Sequence, residues 1–173
     1  AVAAGKNGVA QAVTLNSGAN DMMLEDVKFA AKSVTLKGSK SKLTIGGCGS
    51  IDTVSGFGSA TVTGAVTITK SFAVPEIRLE KDAAVTLDGK NATITAKTKI
   101  SGTEGAQIIL RNGFKPISFG TAEGSIEIVP DGLSGTVQVF STKISLDDIN
   151  KVFSVEGGEF SATKKGKVDL TIK

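Results

Sequence analysis

The residues that most often perform acid–base and metal chemistry are scarce in this chain. The sequence contains no histidine and a single cysteine, Cys48. Histidine is the commonest general base near neutral pH, and a zinc cage needs several cysteine or histidine ligands. Cys48 lies in the glycine-rich segment 45–49, where a small buried residue at a tight corner is the simplest interpretation. The composition therefore disfavours histidine-assisted catalysis, zinc sites and internal disulfide bonds.

Charged side chains are the remaining candidates for catalysis. Glu76, Arg78 and Glu80 alternate along one predicted strand and so share one face of it, as an exposed charge ladder would. Arg111, the other arginine of the chain, lies in a predicted turn.

Two pairs of adjacent carboxylates are also interpreted as structural. Glu25 and Asp26 would point to opposite faces of a strand. Asp147 and Asp148 begin a predicted helix, where acidic residues interact favourably with the helix dipole. We therefore predict no catalytic, cofactor-binding or metal-binding residue and no enzymatic activity.

Basic and aromatic residues decide whether nucleic acid or sugar is an expected partner. The net charge is +3, and the chain has neither Trp nor Tyr. Nucleic-acid binders concentrate basic residues with stacking aromatics, so no nucleic-acid partner is predicted. The densest basic stretches, 37–42 and 164–167, are interpreted as solubilising turns. Phe57, Phe72 and Phe114 are expected to fill corners of the fold. The loops predicted to offer contact surfaces are 55–59, 70–76 and 112–115.

A short phrase, a small residue followed by Val-Thr-Leu or a near relative, recurs along the chain. Copies begin at Ala12, Ser33, Lys42, Ala65, Ala84 and Ala92. Each copy alternates apolar and polar residues and ends at Gly, Asn, Asp or Lys, which is typical of a short half-buried strand. In the copy at Ala84, Val85 and Leu87 should point inward and Thr86 outward. The phrase predicts an all-β fold.

The spacing of these strands predicts a solenoid. The apolar residues that we take as the centres of successive coils are Val13, Val34, Ile51, Val66, Val85, Ile108 and Ile126. Their uneven intervals conflict with the strict hexapeptide step of left-handed β-helices and favour a right-handed parallel β-helix. An antiparallel β-sandwich is the alternative, because the turn residues would also suit it.

The two ends of the solenoid differ in their sequence signals. Coils are predicted over residues 1–143 and a C-terminal cap over 144–173, within one domain. A capping-box-like spacing predicts a short helix over about 145–152. A hairpin at Gly157–Gly158 and a strand over 168–172 would then cover the last coil with antiparallel strands. Residues 20–29 fit either a helical turn or a further rung.

The uneven coils, the phrase at 24–29 and the Thr-rich strands resemble extracellular right-handed parallel β-helix proteins, the fold of pectate lyases and many bacterial surface proteins. The resemblance covers roughly residues 9–140. Lyases of this type use a basic residue to take a proton beside a carboxyl group and acidic residues to hold calcium, and residues 75–80 are the nearest segment here. The resemblance implies an extracellular or cell-surface location in a bacterium.

We therefore expect a non-catalytic β-solenoid module, secreted or on the cell surface, that serves as a structural spacer or an adhesin-like binding surface and needs no cofactor. Its expected partner is a surface protein or glycan of the host or the bacterium. No run of about 18 apolar residues occurs, so no membrane insertion is expected. The chain is expected to be monomeric or part of a longer one. The alternative is a polysaccharide-active enzyme of the same fold, or its remnant, with acids gathered around Arg78 or Arg111.

Overall fold

The computed structural model describes residues 9–10, 12–16, 18, 20–25, 28–96, 99–113, 117–119, 122–131, 136–139, 142–145 and 168–172. These residues form an all-β structure whose parallel strands stack as a β-solenoid of about five turns. Every strand pair from β1 to β16 is parallel. The solenoid prediction is confirmed, and the antiparallel sandwich alternative is wrong.

The coils have three faces, which we call A, B and C. Face C is a separate six-stranded sheet. Its strands are β3 (Asp21–Leu24), β5 (Lys42–Ile45), β7 (Ser59–Val62), β9 (Glu76–Leu79), β12 (Lys99–Gly102) and β15 (Ala122–Gly124). Residues 21–24 are therefore a rung and not a helical turn.

Faces A and B share long strands in the early coils and separate later. The shared strands are β4 (Ala30–Leu36), β6 (Ser50–Gly56) and β8 (Ala65–Ala73), preceded by β1 (Val9–Ala10) on face A and β2 (Val13–Leu15) on face B. Face A continues through β10 (Ala84–Asp88), β13 (Gln107–Arg111) and β16 (Glu127–Asp131). Face B continues through β11 (Thr93–Ala96) and β14 (Ile117–Phe119). The turn between β10 and β11 thus separates the two faces from the fifth coil onward.

Alternation along each strand fills the interior with stacked columns of apolar side chains. Val85 and Leu87 are fully buried while Thr86 between them is half-buried, as the period of two predicts. One column on face B consists of Val13, Val34, Val54, Phe72 and Ile94. Since each rung buries its apolar side against the rungs above and below, the core is continuous along the coils.

The register of the coils differs from the predicted one at Ile51. Val34 pairs with Val54, whereas Ile51 lies on face A between Ala31 and Ile68. The pairing of β6 with β8 shifts between Ile51 and Thr53. One long strand here crosses from face A to face B, and each side of the bend has its own inward residue. The choice of Val34 and Ile51 as equivalent centres was therefore wrong.

An antiparallel group of strands follows the coils. It consists of β17 (Thr136–Val139), β18 (Thr142–Ser145) and β19 (Val168–Ile172). β19 pairs antiparallel with both β14 and β17, so it covers the edge of face B. Ser145 ends β18, and the rest of the predicted helix, like the hairpin at Gly157–Gly158, lies outside the described residues.

Candidate ligand-binding corner

Arg78 lies on the outer side of face C, as the alternation of residues along the strand predicts. Ile77 and Leu79 beside it are fully buried. The Nε of Arg78 donates to Glu80 Oε1 at 2.8 Å, and both side chains remain more than a third exposed. Exposed pairs of this kind contribute little to stability. The charge-ladder interpretation of this segment is therefore confirmed.

Arg111 ends strand β13 on face A, and the turn begins only at Asn112, whose φ is 57°. Its placement in a turn was wrong. Its guanidinium binds Asp131 through Nε at 2.7 Å and Nη2 at 2.6 Å. The two arginines thus occupy different faces, and each pairs with one carboxylate. Within the described residues, no group of three or more Cys, Asp or Glu side chains has a geometry that could hold a metal ion.

The buried cysteine and the phenylalanines follow the expectations only in part. Cys48 is buried and its Sγ lies 3.3 Å from the carbonyl oxygen of Phe29, so its structural role is confirmed. Phe72 is fully buried, as predicted, and Phe114 lies outside the described residues. Phe57, however, is 71% exposed. The interpretation of Phe57 as a corner filler was wrong, because the coil turns there in two residues and leaves no interior space beside it.

Phe57 belongs to the corner between faces B and C, where two successive coils have loops of different length. In the second coil residues 37–41 connect β4 to β5, whereas in the third coil only Phe57 and Gly58 connect β6 to β7. The backbones still stack: Lys37 N donates to Leu15 O, and Phe57 N donates to Leu36 O, each at 2.8 Å. The longer loop must therefore protrude beyond the shorter one.

The protruding loop forms one wall of a notch of about 410 Å³. The notch is lined by Asp21, Ser39, Lys40, Lys42 and Ser59. Phe57 is two residues before Ser59, and Met23, which is 61% exposed, is two residues after Asp21 on the same side of β3. The two large apolar side chains that are exposed among the described residues therefore each lie two positions from a residue that lines the notch. We call the notch residues together with Lys37, Phe57 and Met23 the lysine corner.

Lysines predominate in the corner loops, although two carboxylates adjoin them: Asp21 lines the notch, and Glu76 pairs with Ser59 in the register. Residues 28–64 contain five lysines and one acidic residue, Asp52. Within the described residues, Lys37, Lys40 and Lys42 form no ion pair, although Asp21 lies opposite Lys42 in the register. The corner thus presents three exposed ammonium groups that no neighbouring carboxylate neutralises by direct contact.

Asp52 is occupied elsewhere, at the bend between faces A and B. Its Oδ2 accepts a hydrogen bond from Lys70 Nζ at 2.8 Å and its Oδ1 accepts one from Thr69 Oγ1 at 2.7 Å. A second notch of about 310 Å³ lies nearby, lined by Lys70, Ser71, Asn91 and Thr93. Its lysine is already paired, so this notch lacks the free charge of the lysine corner.

The Asp52 contacts predict a pH-dependent contribution to stability. The hydrogen bonds from Lys70 and Thr69 hold the pKa of Asp52 below its ordinary value of 3.8. A carboxylate whose pKa is lower in the folded state than in the unfolded state stabilises the fold fully above its unfolded-state pKa. This stabilisation is lost as the pH falls through the folded-state pKa. We expect Asp52→Asn to cost up to about 1 kcal/mol at pH 6, with the difference from wild type shrinking below pH 3.8.

Urea unfolding of the Asp52→Asn variant and the wild type at several pH values checks this expectation. Glu104→Gln is the control, because the Lys81–Glu104 pair is 3.7 Å apart and largely exposed. A cost for Asp52→Asn that did not change between pH 6 and pH 3 would contradict the assigned contacts.

Face B, which borders the lysine corner, has outward columns of hydroxyl groups that the sequence analysis did not identify. One column consists of Ser33, Thr53, Ser71 and Thr93, and another of Thr14, Thr35 and Ser55. Adjacent rungs lie about 4.8 Å apart. Serine and threonine alternate in the first column, and both columns become visible only once the register is known. They place a row of hydroxyl groups beside the corner.

No protein-family model matches the chain, and neither a curated protein nor a solved structure matches it. Among the described residues there is no helix of the length and apolarity needed to cross a lipid bilayer. The residues of the lysine corner themselves are therefore the basis for proposing a function.

Proposed function

We propose that this chain is a non-catalytic surface module whose stacked coils act as a rigid spacer and whose lysine corner binds a ligand. The observation that supports this most directly is the position of Phe57 and Met23. Both are large, apolar and exposed, and each lies two positions from a residue that lines the notch. Exposed apolar groups near a concave polar site are typical of binding surfaces.

The architecture suits such a division of labour. The core columns depend on the strands, whereas the notch depends on the difference in length between two corner loops. A loop on a rigid scaffold can change without altering the core beneath it. The coils would hold the corner in place, and the corner would supply the contacts.

A secreted or cell-surface location is part of the proposal, as the resemblance to extracellular β-helix proteins implies. The alternative, a polysaccharide-active enzyme of pectate-lyase type, requires a basic residue beside several acids. Arg78 and Arg111 each pair with a single carboxylate on different faces, and this arrangement favours the binding module. Incubation with polysaccharides, with and without calcium, distinguishes the two: product formation would support the enzyme.

Truncating the exposed apolar residues tests the binding function. We expect Phe57→Ala to weaken ligand binding about tenfold, which corresponds to about 1.4 kcal/mol, and Met23→Ala to weaken it less, because methionine offers no flat ring. Neither change should alter stability by more than about 0.5 kcal/mol, since both side chains are largely exposed. The measurement is a glycan-array screen of the wild type, followed by titration of each variant with the glycan that binds.

Ile109→Ala is the matched control, because Ile109 is a half-buried residue on the outer side of face A, on a later coil. Equal loss of binding in this control, or full binding by Phe57→Ala, would contradict the assignment of the site.

A further inference from the structure

We propose that the ligand of the lysine corner is an anionic polysaccharide, bound by direct contact between lysine ammonium groups and its sulfate or carboxylate groups, without a bridging metal ion. This inference rests on the proposed binding function and specifies its ligand. It depends on three features of the corner: the lysines without an ion-pair partner among the described residues, the hydroxyl groups and the exposed ring.

The charge determines the sign of the ligand. Lys37, Lys40 and Lys42 are exposed and lack an ion-pair partner within the described residues, while the acidic residue of segment 28–64 is engaged by Lys70. A ligand that brought further positive charge would be repelled, and a neutral one could accept hydrogen bonds from the lysines but would gain no charge attraction. An anionic ligand would be attracted from a distance and then held at short range.

The hydroxyl groups and the ring favour a sugar polymer over other anions. Ser39 and Ser59 line the notch, and the hydroxyl columns of face B adjoin it. Hydroxyl groups both donate and accept hydrogen bonds, as do those of a sugar. Phe57 offers one exposed aromatic face, against which the C–H side of a sugar ring can pack. Asp21 supplies a carboxylate acceptor for a sugar hydroxyl group.

Nucleic acid is the competing polyanion, and the corner suits it less well. Arginine is the residue that matches phosphate geometry in two-point contacts. Neither arginine of this chain lines the notch, and each is engaged by a carboxylate, Arg78 by Glu80 and Arg111 by Asp131. Binding of single-stranded nucleic acid also relies on several aromatic residues that stack on successive bases. Among its described residues the corner exposes one aromatic side chain, Phe57.

The test measures binding of four probes by isothermal titration calorimetry in buffer with EDTA. The probes are heparin, which is sulfated, hyaluronate, which is carboxylated, dextran, which is neutral, and a single-stranded oligothymidylate. We expect one or both of the anionic glycans to bind, dextran not to bind, and the oligonucleotide to bind at least tenfold more weakly than the better glycan. Which glycan binds identifies the anionic group. Raising NaCl from 50 to 200 mM should weaken binding about 20- to 40-fold if three lysines make the contacts and the polymer releases counterions as a nucleic acid does.

Matched charge variants locate the contact. The double variant Lys37→Ala/Lys40→Ala should bind the anionic glycan at least tenfold more weakly. The control Lys81→Ala/Lys90→Ala removes the same charge from exposed positions on later coils and should bind within twofold of wild type. The folded state of both variants is verified by far-UV circular dichroism, and the lysines, being exposed, should tolerate the change.

The remaining outcomes overturn the inference in distinguishable ways. Equal weakening by both double variants would mean attraction by net charge alone. Equal affinity for oligothymidylate would mean a general polyanion surface, and loss of binding in EDTA would mean a metal-dependent contact. If a neutral glycan bound through Phe57 but independently of the lysines, the ligand class would be wrong while the proposed binding function remained. If no probe bound and Phe57→Ala had no effect on any array ligand, the binding function itself would be wrong.

Discussion

Replacing Phe72 with alanine should lower the free energy of unfolding by about 3–5 kcal/mol. Phe72 is fully buried and heads the largest buried side chains. It lies in β8, packed in its column between Val54 of the preceding coil and Ile94 of the next. Because the adjoining strands are fixed by their own ladders, the neighbouring coils cannot close the cavity that the ring would leave.

The measurement for Phe72→Ala is urea unfolding followed by far-UV circular dichroism, since the chain has no Trp or Tyr to report by fluorescence. Phe57→Ala removes the same ring from an exposed position and is the control. A loss below about 1 kcal/mol for Phe72→Ala would be incompatible with its place in the core.

The second large effect is expected for Gly56→Ala. Gly56 has φ = 130°, a region that L-residues rarely occupy, and a Cβ atom there would collide with the carbonyl oxygen of Leu36 on the preceding coil. Backbone strain alone costs about 1–3 kcal/mol, and the collision would force two stacked coils apart. We expect Gly56→Ala to lower the free energy of unfolding by about 3–5 kcal/mol in total, at the upper end of single-substitution effects.

Gly89→Ala isolates the contribution of strain. Gly89 also has a positive φ, 102°, but a Cβ atom there would meet nothing within 4 Å. Comparing the urea midpoints of the two variants separates collision from strain, and Gly56→Ala should be less stable by at least 1 kcal/mol. Equal losses would show that Leu36 moves aside freely. Because Gly56 precedes Phe57, its variant should also weaken ligand binding.

The inward and outward positions could be predicted from the sequence because they depend only on neighbouring residues. The alternation of Val85, Thr86 and Leu87 determines which side chains enter the core, whatever pairs with the strand. The same rule correctly placed Ile77 and Leu79 inside and Arg78 outside. Local patterning was sufficient wherever a strand kept to a single face.

The register could not be predicted in the same way. Both Ile51 and Val54 are fully buried, yet only Val54 pairs with Val34. The inward positions Ile51 and Val54 of β6 are three residues apart, as are their partners Ala31 and Val34 in β4, so they do not follow the period of two. A sequence pattern cannot tell which of them continues a column, because the answer depends on the length of the loops in the coils before and after.

The lysine corner was only partly visible from the sequence for a related reason. The loop at 55–59 is predicted to offer a contact surface, and 37–42 is one of the two densest basic stretches. That these two segments are neighbours depends on the backbone register, which places Phe57 one coil after Lys37, and on the unequal lengths of the two loops. Both features relate residues about one coil apart, so they can be recognised only after the register is known.

The direction of the ladder hydrogen bonds has a mechanical consequence. In a solenoid these bonds join one coil to the next, so they run along the axis of the rod. When the two ends of the rod are pulled apart, the hydrogen bonds of the outermost coil should break before those of the inner coils. Register partners such as Lys42 and Ser59, or Glu76 and Lys99, set coils of 17 to 23 residues. Each coil that peels away would replace about 4.8 Å of rod by roughly 60–80 Å of extended chain. We expect a rod built in this way to lengthen stepwise under tension and to absorb work at each step, while the coils that remain keep their shape.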